Sequence, residues 1–348
     1  MPEQGNIVFP RDSGEHWNEA EEWWYLNSHV VTLSGRTLSL FVTFLRDKIL
    51  LMVNDLAEAR TLCRAEIPGR MARTSTSGMN LHFGESWWKD SIDKPSRQEL
   101  HLDNIGVTID LVMDSLKPPL LLDNVGRTGF GLLGMSWYYS LPRLDVRGSL
   151  KIDGRRETIK GVGWFDRQWG TWEWGGIRGW HWLSLQFEDN IEILFMKTAH
   201  PLTGRIMYQT LNIVPPDSKV KVVKCLEVNA LGRWTSSRTG ITYEVGWILR
   251  APKLTIEVTP CLEDQEIRPG LWEGPCLVRG ELDGHSVKGV GFSEQCDSQL
   301  NTSGYSRFIN LNFALIRHVL RPVFGRQNSS GILPFWAEDI KRRVLLQK

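Results

Sequence analysis

The chain has 348 residues, which suits two domains, each long enough to bury its own core. Its 41 Lys and Arg against 40 Asp and Glu leave a formal charge of +1 and no charged tail, so it lacks the electrostatic footprint of a nucleic-acid-binding protein. Five Cys without a C-x-x-C pair argue against a disulfide framework or zinc ribbon and fit a reducing, cytoplasmic compartment, and neither a secretory leader nor a membrane-spanning apolar run is visible.

The outlier is tryptophan, with 16 residues. A buried indole N–H needs a partner, so such a load points to aromatic-walled interiors or an apolar ligand surface.

In chain order, the first strong element is EAEEWWYLNSHV (19–30). As a strand it places Trp23, Tyr25, Asn27 and His29 on one face and Glu22, Trp24, Leu26 and Ser28 on the other. Either face puts hydrogen-bonding groups on an aromatic wall, as a small-molecule pocket requires. The alternative is a barrel strand with core aromatics, a solvated Glu pair and a structural His29. Next, RTLSLFVTFLRD puts Leu38, Leu40, Val42 and Phe44 on one face. GWHWLSLQFEDN separates Trp180, Trp182, Ser184 and Gln186 from His181, Leu183, Leu185 and Phe187. NIEILFMKT, ITYEVGWIL and KLTIEVTP alternate likewise, and LSGR, IDGRR, LTGR, PPDS and LDGH supply turns. This pattern predicts an all-β chain. Only the C-terminal stretches SRFINLNFALIRHVLRPVFG and PFWAEDIKRRVLLQK suit short helices.

One phrase occurs twice. GSLKIDGRRETIKGVGWFDRQ (148–168) and GELDGHSVKGVGFSEQ (280–295) each read as strand, Asp-Gly turn, strand, KGVG, then aromatic, residue, acid. The two KGVG runs lie 128 residues apart, a domain-sized offset rather than a solenoid period. We therefore expect two related antiparallel β domains, over residues 1–200 and 201–348. In the first copy Trp164, Asp166 and Gln168 share one strand face; Phe165, Arg167 and Trp169 share the other. Facing a lumen beside Trp164, with Trp180 and Trp182 nearby, Asp166 would have a raised pKa and could act as a general acid. Facing outward, it would be a surface acid. Glu294 holds the corresponding place in the second copy, but nothing in the sequence brings the two acids together. No nucleophile elbow, metal-ligand spacing, Walker loop or dinucleotide fingerprint is present.

Taken together, EEWWYLNSHV (21–30), WYYSLPRLDVRGSLKIDG (137–154), KGVGWFDRQWG (160–170), GWHWLSLQFEDNIEILFM (179–196) and LWEGPCLVRGELDGHSVKGVGF (271–292) resemble the AttH/CrtC-like superfamily in content and order. The resemblance implies two lipocalin-like β-barrels. It also implies chemistry on lipophilic polyenes or polyketide-derived chains without a redox cofactor, as in carotenoid 1,2-hydratases and Diels–Alderase-type cyclases. In the hydratases an acid in the segment matching WFD protonates a double bond, a role that carries over to Asp166. The chain departs from its relatives at MVNDLAEAR, where they carry a His, at GFSEQCD, where they carry a Tyr, and in lacking a His beside Asp166.

The resulting expectation is a cofactor-independent natural-product cyclase acting on a hydrophobic small molecule in a pocket at the domain interface or in the first barrel. Asp166, Tyr25 and Asn27 would be catalytic; Trp23, Trp24, Trp164, Gln168, Trp180, Trp182 and Gln186 would bind substrate; no metal is called for. The alternatives are an isoprenoid hydratase and a non-catalytic lipocalin-like carrier. The C-terminal RFINLNFALIRHVLRPVF would pack on the barrels as a helix, with weak membrane-surface contact as a lesser option.

Overall fold

The computed structural model describes residues 6–74, 77–104, 106–129, 134–172, 179–200 and 203–297. The alternating segments are strands, and the only helical pieces among these residues are two three-residue 3-10 turns, Arg11–Ser13 and Leu122–Asn124.

Twelve strands form the first sheet: β1 (Glu21–Thr32), β2 (Thr37–Phe44), β3 (Lys48–Asp55), β4 (Arg60–Pro68), β5 (Asn80–Phe83), β6 (Ser86–Asp90), β7 (Arg97–Asn104), β8 (Val107–Ser115), β9 (Leu120–Leu121), β10 (Arg127–Gly129), β11 (Gly134–Ile152) and β12 (Arg155–Trp172). Ten form the second: β13 (Gly179–Phe187), β14 (Glu192–Ala199), β15 (Ile206–Val214), β16 (Lys221–Val223), β17 (Glu227–Thr235), β18 (Thr242–Ala251), β19 (Leu254–Pro260), β20 (Glu266–Arg268), β21 (Leu271–Leu282) and β22 (His285–Asp297).

The first sheet runs β4-β3-β2-β1-β12-β11-β8-β7-β6-β5 and the second β16-β15-β14-β13-β22-β21-β19-β18-β17. The orders coincide when β1–β4 are laid on β13–β16, β11–β12 on β21–β22, and β8, β7 and β6 on β19, β18 and β17. The repeated phrase therefore marks a repeated lipocalin-like half-barrel. The second sheet starts at Gly179, so β13 and β14 belong to it. The boundary expected at residue 200 fell too late, because the aromatic face of β13 sits beside the first sheet's Asp166 and reads as its continuation. The expected C-terminal helices lie outside the described residues.

Both copies of the hairpin turn on Asp-Gly. Asp153 and Gly154 have φ of 51° and 77°, and Asp283 and Gly284 have 51° and 84°. Positive φ at both central residues is the type I′ geometry, whose twist matches that of the strands. The KGVG glycines have a second cause. A Cβ on Gly161 would overlap the His29 carbonyl of β1, and one on Gly289 would overlap the Gln186 carbonyl of β13.

Each sheet curls around its own apolar core. In the first, Leu38, Leu40, Val42 and Phe44 of β2 meet Trp24, Leu26, Phe165 and Trp169. In the second, Leu183, Leu185 and Phe187 meet Trp247, Ile256 and Val278. A third core lies between the sheets and includes Tyr25, Tyr138, Trp164, Trp182, Leu194, Met196 and Phe292. Each fully buried large apolar side chain contributes roughly 1.5–3 kcal/mol, so this third core holds both sheets in one compact unit. Among the described residues no helix is long and apolar enough to cross a membrane, and all five Cys are free thiols.

Candidate active site between the barrels

Strand alternation decides where Asp166 points. Phe165 and Trp169 enter the first core, with Arg167 lying over the rings of Trp24 and Trp169. Trp164, Asp166 and Gln168 therefore point out of the first barrel. Neither sequence reading of Asp166 holds: it faces no lumen, yet it is only 4% exposed, because the second barrel covers that outward face.

The covering follows an approximate twofold relation. Asp166 pairs with Tyr25 and Glu294 pairs with Trp182, so register makes Trp23 equivalent to Trp180, Tyr25 to Trp182, Asn27 to Ser184 and His29 to Gln186. These equivalents meet one another. The Trp23 and Trp180 rings stack at 6.2 Å, and Tyr25 packs edge-on to Trp182 at 5.1 Å. Asn27 Nδ2 donates to Ser184 Oγ at 2.9 Å. His29 Nε2 donates to the Gly291 carbonyl at 3.0 Å, and Gln186 Nε2 donates to the matching Gly163 carbonyl at 2.7 Å. Such reciprocity is the mark of an isologous interface, here built within one chain.

Along this interface lies a chamber. The first sheet lines it with Trp23, Tyr25, Tyr138, Asp166, Gln168 and Trp172, the second with Trp180, Trp182, Met196, Thr198 and Glu294. Its void is about 40 Å³, room for a few water molecules. A lipophilic substrate would have to displace wall side chains, and the half-buried Trp23, Trp180 and Glu294 are the ones nearest solvent. Thr198 Oγ1 is buried with no hydrogen-bond partner among the described residues, which leaves it available to a ligand.

Asp166 is held from two sides. Trp164 Nε1 donates to Oδ1 at 2.7 Å, and the Tyr138 hydroxyl donates to Oδ2 at 2.5 Å. Trp182 Nε1 in turn donates to the Tyr138 oxygen at 2.9 Å. Burial outweighs these donors and, helped by the nearby Glu294 charge, raises Asp166 to about 7. A carboxyl in that state carries a proton it can release near neutrality. The same burial raises Glu294 and pushes Glu273 of β21 well above the carboxylate range.

The remaining expected site residues divide by their contacts. Tyr25, Trp23, Gln168, Trp180 and Trp182 line the chamber with Asp166. Asn27 does not; its Nδ2 donates to the Tyr25 hydroxyl at 2.9 Å and so orients a wall residue. Trp164 is fully buried behind Asp166, and Gln186 is spent on the Gly163 and Pro142 carbonyls. Trp24 lies in the first barrel's core, with Nε1 on the Ser13 carbonyl at 2.8 Å, because even positions of β1 face inward. Glu22 is not solvated: it is buried on that same face, paired with Arg167 and Arg46 and drawn down to about 2, chiefly by Arg167 working against burial. His29 is the structural histidine expected, lowered to about 4 by burial.

Sequence reasoning missed Tyr138, Trp172, Met196, Thr198 and Glu273, and set Glu294 aside. The usable signal was the repeat: acids at equal register in two barrels face each other if the barrels pack about a twofold. Among the described residues no cluster of three His, Cys, Asp or Glu could hold a metal.

Solved structures that the chain resembles include the following three. One is a protein described as an AttH of Nitrosomonas europaea, 20% identical, with TM-score 0.74 over 85% of this chain and 98% of that one. Kievitone hydratase of Nectria haematococca is 19% identical, with TM-score 0.71 over 84% and 93%. CghA is 14% identical, with TM-score 0.54 over 84% and 94%. No curated protein matches in sequence. At these identities the likeness establishes the fold, and the family rests on sequence: the AttH-like family model matches residues 51–295, from within β3 to within β22 and including every chamber residue except Trp23 and Tyr25, and the chain belongs to the AttH-like family.

Proposed function

We propose that this protein is a cofactor-independent enzyme that protonates a carbon–carbon double bond of a lipophilic polyene, terpenoid or polyketide-derived substrate in the inter-barrel chamber. The observation that carries this reading is Asp166: a buried carboxyl at about 7 on a wall shared with four tryptophans. Asp166 transfers its proton to one alkene carbon and leaves a cation on its neighbour. The faces of Trp23, Trp172, Trp180 and Trp182 stabilise that cation through their π quadrupoles, and the new Asp166 carboxylate does so through its charge. Water or an internal double bond then attacks, giving a hydrated or a cyclised product. Kievitone hydratase among the structural relatives supports hydration; the Trp-rich walls, which fold an apolar chain and exclude water, support cyclisation.

The test is a panel of acyclic isoprenoids and polyenes incubated with the protein. A product isobaric with its substrate marks cyclisation, and gain of one water, traced with labelled oxygen, marks hydration. Compounds recovered unchanged after release would mark a carrier. Turnover that survives both Asp166→Asn and Trp182→Ala would place the chemistry elsewhere.

A further inference from the structure

At the register position of Asp166, on the chamber wall given by the second sheet, stands Glu294, and paired to it across β21 is the fully buried Glu273. We propose that Glu294 is the base of the reaction whose acid is Asp166, kept as a carboxylate by Trp180 and by a proton resident on Glu273. The proposal rests on the reading of Asp166 as proton donor and assigns a second reacting group to the same site.

The hydrogen bonds favour this division. Trp180 Nε1 donates to Glu294 Oε1. The Tyr25 hydroxyl donates to Glu273 Oε1 at 2.8 Å. Glu273 Oε2 is buried and receives no donor among the described residues. Glu273 is fully buried and Glu294 half-buried, and two carboxylates so placed on paired strands cannot both stay charged. A proton on Glu273 Oε2, given to Glu294, removes both difficulties: the orphan oxygen becomes a donor, and the pair carries one charge instead of two. The side-chain hydrogen bond between them has this sense: it raises Glu273 further and, with Trp180, offsets part of the rise that burial gives Glu294. Glu294 also faces Asp166 and Tyr25, and the charge it carries helps keep Asp166 protonated. Asp166 is held by Trp164 and Tyr138 and Glu294 by Trp180 and Glu273, and two facing carboxyls with different partners can divide acid and base roles.

The step balances. Asp166 gives a proton to the alkene and becomes a carboxylate while a C–H bond forms. In hydration, the oxygen of water bonds to the cation and its proton passes to Glu294. In cyclisation, the internal double bond closes the ring and the carbon beside the new cation loses its proton to Glu294. One proton returned from Glu294 to Asp166 restores the starting state.

The test needs no substrate. Infrared difference spectra of wild type against each variant, recorded from about pH 5 to about pH 9, show which carboxyls are protonated. Asp166→Asn is expected to remove a protonated-carboxyl band that titrates near 7. Glu273→Gln is expected to remove one that persists through the range. Glu294→Gln is expected to remove a carboxylate band and no protonated band near neutrality, and to lower the Asp166 midpoint. Loss of a protonated band in Glu294→Gln with none in Glu273→Gln would overturn the proposal. If Glu294→Gln does not fold, Trp180→Phe, which takes a donor from Glu294, is expected to add a protonated band; its absence would equally count against the base. A spectrum in which Asp166→Asn alone behaves unexpectedly would refute the reading of Asp166 and leave the state of the glutamate pair on record. With any polyene turned over in the screen, Glu294→Gln should lower kcat about 100-fold with KM little changed, and an unchanged kcat would refute the role.

Discussion

Replacing Asp166 with Asn should change how stability depends on pH, in a direction fixed by the structure. The folded protein holds Asp166 at about 7 against an ordinary value of 3.8. At 1.36 kcal/mol for each pH unit, that difference corresponds to roughly 4 kcal/mol. Because the folded value is the higher one, the folded state binds the extra proton between the two values, and stability falls as pH rises through that window. Below about pH 4 the carboxyl is neutral in both states and costs nothing; above about pH 7 the full penalty is present. Asn is neutral throughout. Its amide oxygen can accept from Trp164, and the Tyr138 hydroxyl can turn to accept from its NH₂. Urea denaturation of both proteins from pH 4 to pH 8 is the assay. The stability of Asp166→Asn relative to wild type should climb through this range by about 2–4 kcal/mol, allowing for imperfect rearrangement of those hydrogen bonds. A difference that stays flat with pH would mean that Asp166 is ionised in the folded protein, and its proposed role as acid would fall.

Other residues give independent tests. Turnover should decline as pH rises through about 7, since the donor must hold its proton, and a pH-rate profile with no fall there would contradict the mechanism. Glu22→Gln should destabilise by about 3–5 kcal/mol, because Arg167 is completely buried beside it; in wild type this pair's contribution should fade in acid as pH drops from the ordinary 4.5 towards about 2, and calorimetry at several pH values would show both effects. Gly161→Ala and Gly289→Ala should each cost more than about 2 kcal/mol by driving a methyl into a neighbouring strand's carbonyl, whereas Gly35→Ala meets no atom and should lose only what its positive φ imposes, a contrast readable from melting temperatures. Trp182→Phe keeps the ring contact with Tyr25 but removes the donor to Tyr138, and should cost about 1 kcal/mol in denaturant.

The sequence made one layer of this structure legible and hid the next. Period-two alternation separated Trp180 and Trp182 from Leu183 and Leu185 correctly, and the KGVG phrase located two equivalent hairpins. What alternation cannot state is which face a second body will cover. The two faces of β12 look alike in sequence: one carries Trp164 and Asp166, the other Phe165, Arg167 and Trp169. The sequence therefore leaves the pocket open between the first barrel and the domain interface, and the folded chain has its chamber at the interface. Trp24 was drawn into the site by its neighbours in the chain although its side chain points the other way. Glu294 has Ser293 and Gln295 as its chain neighbours, yet its surroundings come from Trp180, Trp182 and Glu273 on adjacent strands. Glu273 sits in the stretch LWEGPC, but its pairing with Glu294 is a matter of register that only the folded sheet supplies.

The most direct measurement is turnover in D₂O of a polyene taken from the screen, with the product examined for carbon-bound deuterium. Proton donation by Asp166 requires one deuteron on a carbon of the wild-type product and neither product nor deuterium with Asp166→Asn. A product formed without carbon-bound deuterium, or labelled equally by both proteins, would contradict acid catalysis by Asp166.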